Sequence, residues 1–314
     1  MAKMKILLIS PSFFGYIELI KKEFENQGIN VQLFFETFTS SSYVHIYQKF
    51  VKLNSYLQKR HLKKILKKCR NFDVFVMIKG QYLNEAFIRE LKSLNPKSKF
   101  IMYQWDSKKV FDYSHYYPYF DQILSFDILD CQKDKKIKLI PTFGTMKYSN
   151  YDTSLSDYDI FFIGTDKPFR RQLLEKLAFD ADEIGISYRF YLLSIKQYVV
   201  NIFKKGNRIK YIIKPFSKGK IKNLINRSKA VLDITNPKQS GITQRSYDSL
   251  LLHRKLLTNN HLIKEEPYFN KNNIFVFDDC IKQIPIDFFN SPFKKQDMSK
   301  FTPEGFVKRI SDFF

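Results

Sequence analysis

The chain has few cysteines and no pattern among them. Cys69, Cys131 and Cys280 are scattered, with no Cys-x-x-Cys pair. This excludes a disulfide framework and a cysteine zinc site and points to a reducing cytoplasm. The five histidines, His45, His61, His115, His253 and His261, lack metal-ligand spacing, and no His-Glu-x-x-His occurs, so no metal is expected. Gly-x-Gly-x-x-Gly, the P-loop and Gly-x-Ser-x-Gly are all missing, and with them the common dinucleotide, triphosphate and serine-hydrolase signatures. No apolar run approaches the roughly 18 residues of a spanning helix. The N-terminal run is too short for a signal peptide and lacks a small-residue cleavage site. A cytoplasmic protein is expected, meeting a membrane only from outside. Acidic residues are outnumbered, 31 against 53 basic ones, for a net charge of +22. Such a surplus suits a polyanion or an anionic membrane surface, or simply solvation by lysine. The basic residues are spread along the chain and no RRM, KH or helix-turn-helix pattern is visible, so nucleic acid is not an expected partner.

What is present is a regular alternation of short apolar runs and amphipathic stretches. Strands are expected at Lys5–Ser10, Val31–Phe35, Asp73–Ile78, Lys99–Gln104, Gln122–Phe126 and Lys138–Phe143. The alternation restarts at Asp159 and continues near Tyr188–Leu193, Ala230–Thr235, Lys255–Thr258 and Ile274–Phe277. Helices lie between them, one ending near Gly28 and a long one over Ile46–Arg70. This predicts an α/β fold with parallel sheets covered by helices on both faces. The polar stretch Lys147–Asp157 reads as a linker. The expected domains are residues 1–148 and 149–302, with a last helix, 303–314, crossing back to the first.

The most informative stretch is Asp233–Asn260, a strand, a polar turn, a helix and a second strand. Ligands of parallel sheets bind beyond the carboxyl ends of the strands. The polar residues gather there: Asn236, Gln239, Ser240, Gly241, Thr243, Arg245 and Asp248, with Ile242 among them. Amides at the helix start favour an anion such as a diphosphate. Gly241 allows close approach of backbone, Arg245 offers a two-pronged hydrogen bond, and Asp248 can accept from ribose hydroxyls. The bland alternative is a turn that is polar because turns are. A second candidate is the strand ending at Gly164. Pro168 follows near a helix start, with Arg170 and Arg171 in the first turn. Basic residues there oppose the helix dipole, which an anionic ligand would explain and exposure to water would also permit. In the first half, Asp106 ends a strand beside the only tryptophan, Trp105. It is placed either for general-base work on a hydroxyl or as a helix N-cap. The long Ile46–Arg70 helix has an apolar stripe and a face of lysine and arginine. It suits an anionic leaflet, or is a solvated surface helix.

With these residues in view, the chain resembles the GT-B glycosyltransferases. More narrowly, Phe162-Ile-Gly-Thr-x-x-x-x-Arg-Arg followed by Gln239–Asn260 is similar to the CgeB-like and group 1 glycosyltransferases of bacterial surface-polysaccharide loci. The resemblance implies two Rossmann-like domains facing each other across a cleft, with a nucleotide-sugar donor on the second. Arg245 matches the family arginine, Tyr247 its aromatic and Asp248 its ribose-binding acid. Gly241–Thr243 would lie at the pyrophosphate, with Gln239, Gly164 and Arg170 contributing. The acceptor, a glycan or glycolipid hydroxyl of lipopolysaccharide or capsule, would sit near Ser12, Phe13, Gly15 and Asp106. No cofactor is implied, the donor being a substrate. Two departures stand out: His253-Arg254 replaces a small-Gly pair, and Ser240 stands where retaining members carry an acid. The second keeps open a catalytically silent, sugar-nucleotide-binding subunit.

Overall fold

Runs such as Ile6–Ile9 are buried at every position, which is what a strand covered on both faces requires. In the computed structural model, which describes residues 3–13, 15–39, 51–147, 156–202 and 206–314, such runs form two wholly parallel six-stranded sheets.

The first unit comprises residues 1–143, 237–241 and 299–314. Its elements are β1 (Lys5–Ser10), α1 (Tyr16–Asn26), β2 (Asn30–Phe35), α2 (Val51–Lys68), β3 (Val74–Ile78), α3 (Glu85–Leu94), β4 (Lys99–Gln104), β5 (Gln122–Ser125), α4 (Ile128–Lys133) and β6 (Ile137–Leu139). The sheet order is β2-β1-β3-β4-β5-β6. Leu7, Ile9, Phe75 and Phe100 pack on one face against Leu62 and Ile65 of α2 and Ile88 of α3. Ile6, Leu8, Val76 and Tyr103 pack on the other against α1 and the C-terminal helix (Pro303–Ser311), whose Phe306 is fully buried. Asn84 caps α3 by accepting from the Phe87 amide at 2.9 Å.

The second unit comprises residues 144–236 and 242–298. It contains β7 (Tyr158–Thr165), α5 (Pro168–Glu183), β8 (Tyr188–Leu193), α6 (Ile195–Asn201), β9 (Ile209–Ile212), α7 (Lys218–Asn226), β10 (Ser228–Asp233), α8 (Gln244–Leu251), β11 (Lys255–Thr258), β12 (Ile274–Val276) and α9 (Ile286–Asn290); the C-terminal helix is α10. The order β12-β11-β10-β7-β8-β9 is the Rossmann order, reversing direction between β7 and β10. Pro168 opens α5, where its missing N–H leaves no bond unmade.

Three sequence expectations need adjustment. The sixth strand is shorter than Lys138–Phe143, because Pro141 has no amide to donate and the ladder stops at Leu139. Strand β9 was not anticipated: its four residues are too short an apolar run to register, with Lys210 among them. Of the long helix and the linker, residues 46–50 and 148–155 lie outside the described residues. Within α2, Leu62, Ile65 and Leu66 are buried in the first unit's core, so this part of the apolar stripe is a packing face, with Lys59, Lys63 and Lys67 turned to solvent. Among the described residues no helix is long and apolar enough to cross a membrane.

Candidate functional site

In the second unit the strand order reverses between β7 and β10, and there β10 ends on Asp233, whose side chain is fully buried. One carboxylate oxygen accepts from the Thr243 hydroxyl and from Arg245 Nη1, each at 2.9 Å. The other accepts longer bonds from the hydroxyls of Thr235, Ser246 and Thr258, at 3.3, 3.3 and 3.4 Å. The second branch of Arg245 donates to the Ile163 carbonyl at 2.8 Å. One guanidinium therefore ties β7 to β10 at the reversal, and its carbon lies 4.8 Å from the centre of the Phe162 ring.

Arg170 joins it from the first turn of α5. Its Nη1 donates to the Thr165 carbonyl at 2.7 Å, and the guanidinium lies over the rings of Phe162 and Phe169. Its Nε is buried without a hydrogen-bond partner among the described residues. Burial, and then the charge of Arg245, push its pKa down to about 10. Gly164 lies beside it: a Cβ there would stand 3.0 Å from the Phe162 ring and 3.4 Å from Arg170 Nη1. Arg171 is paired with Asp166 at 3.0 Å. Three guanidiniums thus meet two carboxylates, Asp166 and Asp233, which leaves the end of β7 net positive.

The rest of the central stretch is divided. Thr243 caps α8, accepting from the Ser246 amide at 3.3 Å, and Ile242 is buried. Asp248 is also buried, and Oδ1 accepts from the Thr145 and Met146 amides at 2.5 and 2.9 Å. Burial raises its pKa to about 6. This carboxylate anchors the first residues of the second unit. Gln239, Ser240 and Gly241 count with the first unit. Ser240 donates its amide and hydroxyl to Asp127, at 2.7 and 2.6 Å, and accepts from the Leu129 amide at 2.9 Å. Gly241 lies so close to Phe126 that an added Cβ would come within 2.3 Å of the ring, so a glycine is needed there for packing.

In the first unit the order reverses between β1 and β3. Ser12, Phe13 and Gly15 follow β1; the half-exposed Phe13 ring lies 5.7 Å from Trp105 and 5.6 Å from Tyr16. Gly15, at φ 72°, precedes α1 in a left-handed conformation. Beyond β3, Lys79 and Gly80 are both left-handed, at φ 67° and 79°. For lysine that conformation is strained. It is held by the Lys79 amide donating to Tyr103 O at 3.0 Å and by Gln104 Nε2 donating to Lys79 O at 2.8 Å. The Lys79 ammonium reaches Asp106 at 2.8 Å, and Gln239 donates to the same carboxylate at 2.8 Å. No helix begins at Asp106, so it is not an N-cap. Glu36, next to the end of β2, is fully buried, and neither carboxyl oxygen completes a hydrogen bond of normal geometry among the described residues. Burial pushes its pKa up to about 8, against the opposing pull of Lys79.

Asp233, Asp127, Lys79 and Glu36 were not anticipated. Each stands within two residues of a strand's carboxyl end, and a charged residue closing an otherwise apolar run, as in Val231-Leu232-Asp233 or Met77-Ile78-Lys79, was the available signal. Among the described residues no three His, Cys, Asp or Glu side chains cluster as metal ligands would.

Strand order and helical layers together define the GT-B fold, two Rossmann-like units in one chain. Among solved structures, the lipopolysaccharide outer core galactosyltransferase WaaB superimposes with a TM-score of 0.60 at 12% identity, over 99% of both chains. A DNA-modifying β-glucosyltransferase, studied with and without its substrate uridine diphosphoglucose, gives 0.53 at 11% identity over 98% of this chain and 95% of its own. The UDP-GlcNAc 2-epimerase of Neisseria meningitidis, bound to UDP-GlcNAc, gives 0.50 at 9% identity over 99% of both. Neither a protein-family model nor a curated protein matches the sequence. Two transferases and an epimerase on one fold show that the fold supplies the architecture and leaves the reaction to the site.

Proposed function

We propose that the protein is a glycosyltransferase that moves a sugar from a nucleotide-sugar donor to a hydroxyl of a bacterial surface glycan. The observation that carries this is the pair Arg170 and Arg245 at the β7–β10 reversal of a GT-B fold. Both guanidiniums lie over the Phe162 ring, and the Nε of Arg170 is buried without a hydrogen-bond partner among the described residues. Their mutual repulsion is relieved when an anion arrives, and a diphosphate offers two charges with acceptors on both sides. Gly164 leaves room at the strand end, and the start of α8 at Thr243 adds a favourable dipole. On this reading the arginines stabilise the charge that develops on the departing nucleoside diphosphate, the role a metal has in other sugar transferases. Gln239, Ser240 and Gly241 would act through the loop they form rather than by direct contact, their polar groups being engaged by Asp106 and Asp127. The same holds for Asp248, whose Oδ1 is engaged by backbone amides.

Calorimetric titration with UDP, GDP and CDP tests the donor site. One of the three should bind, and Arg170→Ala should weaken it about 10- to 100-fold with an unchanged melting temperature. Absence of binding by all three, or equal binding by the variant, removes the reading.

The acceptor would be held by the first unit near Ser12, Phe13 and Gly15, with the Phe13 and Trp105 rings as a sugar platform. Asp106 would take the hydroxyl proton, oriented by Lys79 and Gln239. Asp106→Asn should lower turnover about 10²- to 10⁴-fold while leaving nucleotide affinity intact. A turnover loss below threefold in donor-consumption assays would take Asp106 out of the chemistry. The WaaB likeness and the resemblance to surface-polysaccharide enzymes favour lipopolysaccharide or capsule as acceptor.

A further inference from the structure

The chain contains a stretch with no acidic residue, from Ile184 to Leu232. It carries twelve basic residues: Arg189, Lys196, Lys204, Lys205, Arg208, Lys210, Lys214, Lys218, Lys220, Lys222, Arg227 and Lys229. Within it, α6 is built inside out. At about 100° per residue, Ile195, Tyr198, Val199 and Ile202 fall on one side of the helix. That side faces solvent, with relative exposures of 67, 37, 63 and 53%. The opposite side, which carries Gln197 and Asn201, is half-buried, and Asn201 donates to the Gln197 carbonyl at 2.8 Å. No residue of α6 is buried. The helix packs beside edge strand β9, and Ile213, just beyond that strand, is a further exposed aliphatic. Lys196 on α6, Lys210 on β9 and Lys214 just beyond it are exposed on these same two packed elements, and none forms an ion pair with another described residue.

A helix that turns its aliphatic side outward is unstable in water unless something covers that side. The surrounding charge is of one sign, so the cover must be apolar at its centre and anionic at its edge. A bilayer leaflet rich in acidic headgroups has both properties: acyl chains receive Ile195, Val199 and Ile202, Tyr198 sits at headgroup depth, and the lysines meet phosphates.

We propose that α6 and the β9 edge form a membrane-docking surface on the second unit, specific for anionic lipid. The surface is separate from the basic face of α2, and it does not depend on the sugar-transfer reading. Partition of the full chain onto sedimented vesicles tests it, with phosphatidylcholine alone compared with phosphatidylcholine mixed with phosphatidylglycerol at low salt. The chain should bind only the mixed vesicles. The double variant Val199→Glu and Ile202→Glu should lose tenfold or more in partition, as should Lys196→Glu with Lys210→Glu and Lys214→Glu, given about tenfold for each 1.4 kcal/mol and roughly one such step per one or two surface charges. Lys63→Glu with Lys67→Glu in α2 should bind like the natural chain. Unchanged melting temperatures of the α6 variants exclude unfolding as the cause.

Failure of the natural chain to sediment with anionic vesicles overturns the proposal. So does equal binding by Val199→Glu with Ile202→Glu, which would leave a purely electrostatic surface of the kind nucleic acid uses. Self-association that disappears in that double variant, without vesicle binding, would assign the patch to a second copy of the chain.

Discussion

Arg245→Ala is expected to destabilise the second unit by about 3–5 kcal/mol, the loss typical when one partner of a buried ion pair is removed. Asp233 has 1% of its side chain exposed, and among the described residues Arg245 is the only cation within ion-pair distance of it. Without the guanidinium, a buried carboxylate is left to hydroxyls, three of them at 3.3–3.4 Å, and the tie from β10 to the Ile163 carbonyl of β7 is lost with it. On the proposed donor-site reading nucleotide affinity would fall in the same variant, so Arg245 alone would not separate binding from folding, whereas Arg170→Ala would. Adding Asp233→Asn to Arg245→Ala should recover part of the lost stability, because no uncompensated charge then remains buried. Urea unfolding curves check both statements. A loss below 1 kcal/mol for Arg245→Ala would mean that the ion pair does not hold the two strands together.

Glu36 sets a stability that depends on pH in an unusual direction. Its carboxyl is raised from 4.5 to about 8 by burial, so the folded protein binds this proton more tightly than the unfolded chain does. The favourable contribution is fully present below about pH 4.5 and is lost as pH rises toward 8. Linkage at 1.36 kcal/mol per unit puts the loss between pH 5 and pH 8 on the order of 3 kcal/mol. Glu36→Gln keeps the shape and cannot ionise, so its stability should change much less over this range and exceed that of the natural chain at pH 8. Asp248, raised to about 6, adds a smaller decline in the same direction, complete by about pH 7. Thermal unfolding at intervals from pH 5 to pH 8 distinguishes the two groups. Parallel curves for Glu36→Gln and the natural chain would show that Glu36 is not held neutral.

Much of this architecture was legible because parallel strands buried on both faces leave continuous apolar runs. Lys5–Ser10, Lys99–Gln104, Tyr188–Leu193 and Lys255–Thr258 match their strands residue for residue. Where the run is short, as at β9, or ended by a proline, as at β6, the pattern fades. Arg170 and Arg171 drew notice because cations in a helix's first turn oppose its dipole and call for a reason, and Arg245 because a guanidinium beyond a strand end can make a two-pronged hydrogen bond. The acids could not: Asp233 and Glu36 belong to the site only through partners far away in sequence, Arg245 and Lys79. The Gln239–Gly241 turn looked like an anion cradle because a cradle and a packed turn use the same residues. What decides between them there is Asp127 and Phe126, more than a hundred positions earlier, which occupy the amide, the hydroxyl and the space beside the glycine.

Phe306, Val307 and Ile310, from the last twelfth of the chain, lie fully buried against the first sheet beside Tyr103 and Phe143. During synthesis that sheet is made first, yet its hydrophobic layer is completed last. Roughly 150 residues must leave the ribosome in between, which at 5–20 residues per second takes on the order of ten seconds or more. A nascent chain therefore exposes sticky surface on its first sheet until residues 303–310 emerge, and a stop codon before Pro303 should yield a product that aggregates or is degraded even though both sheets are encoded in full.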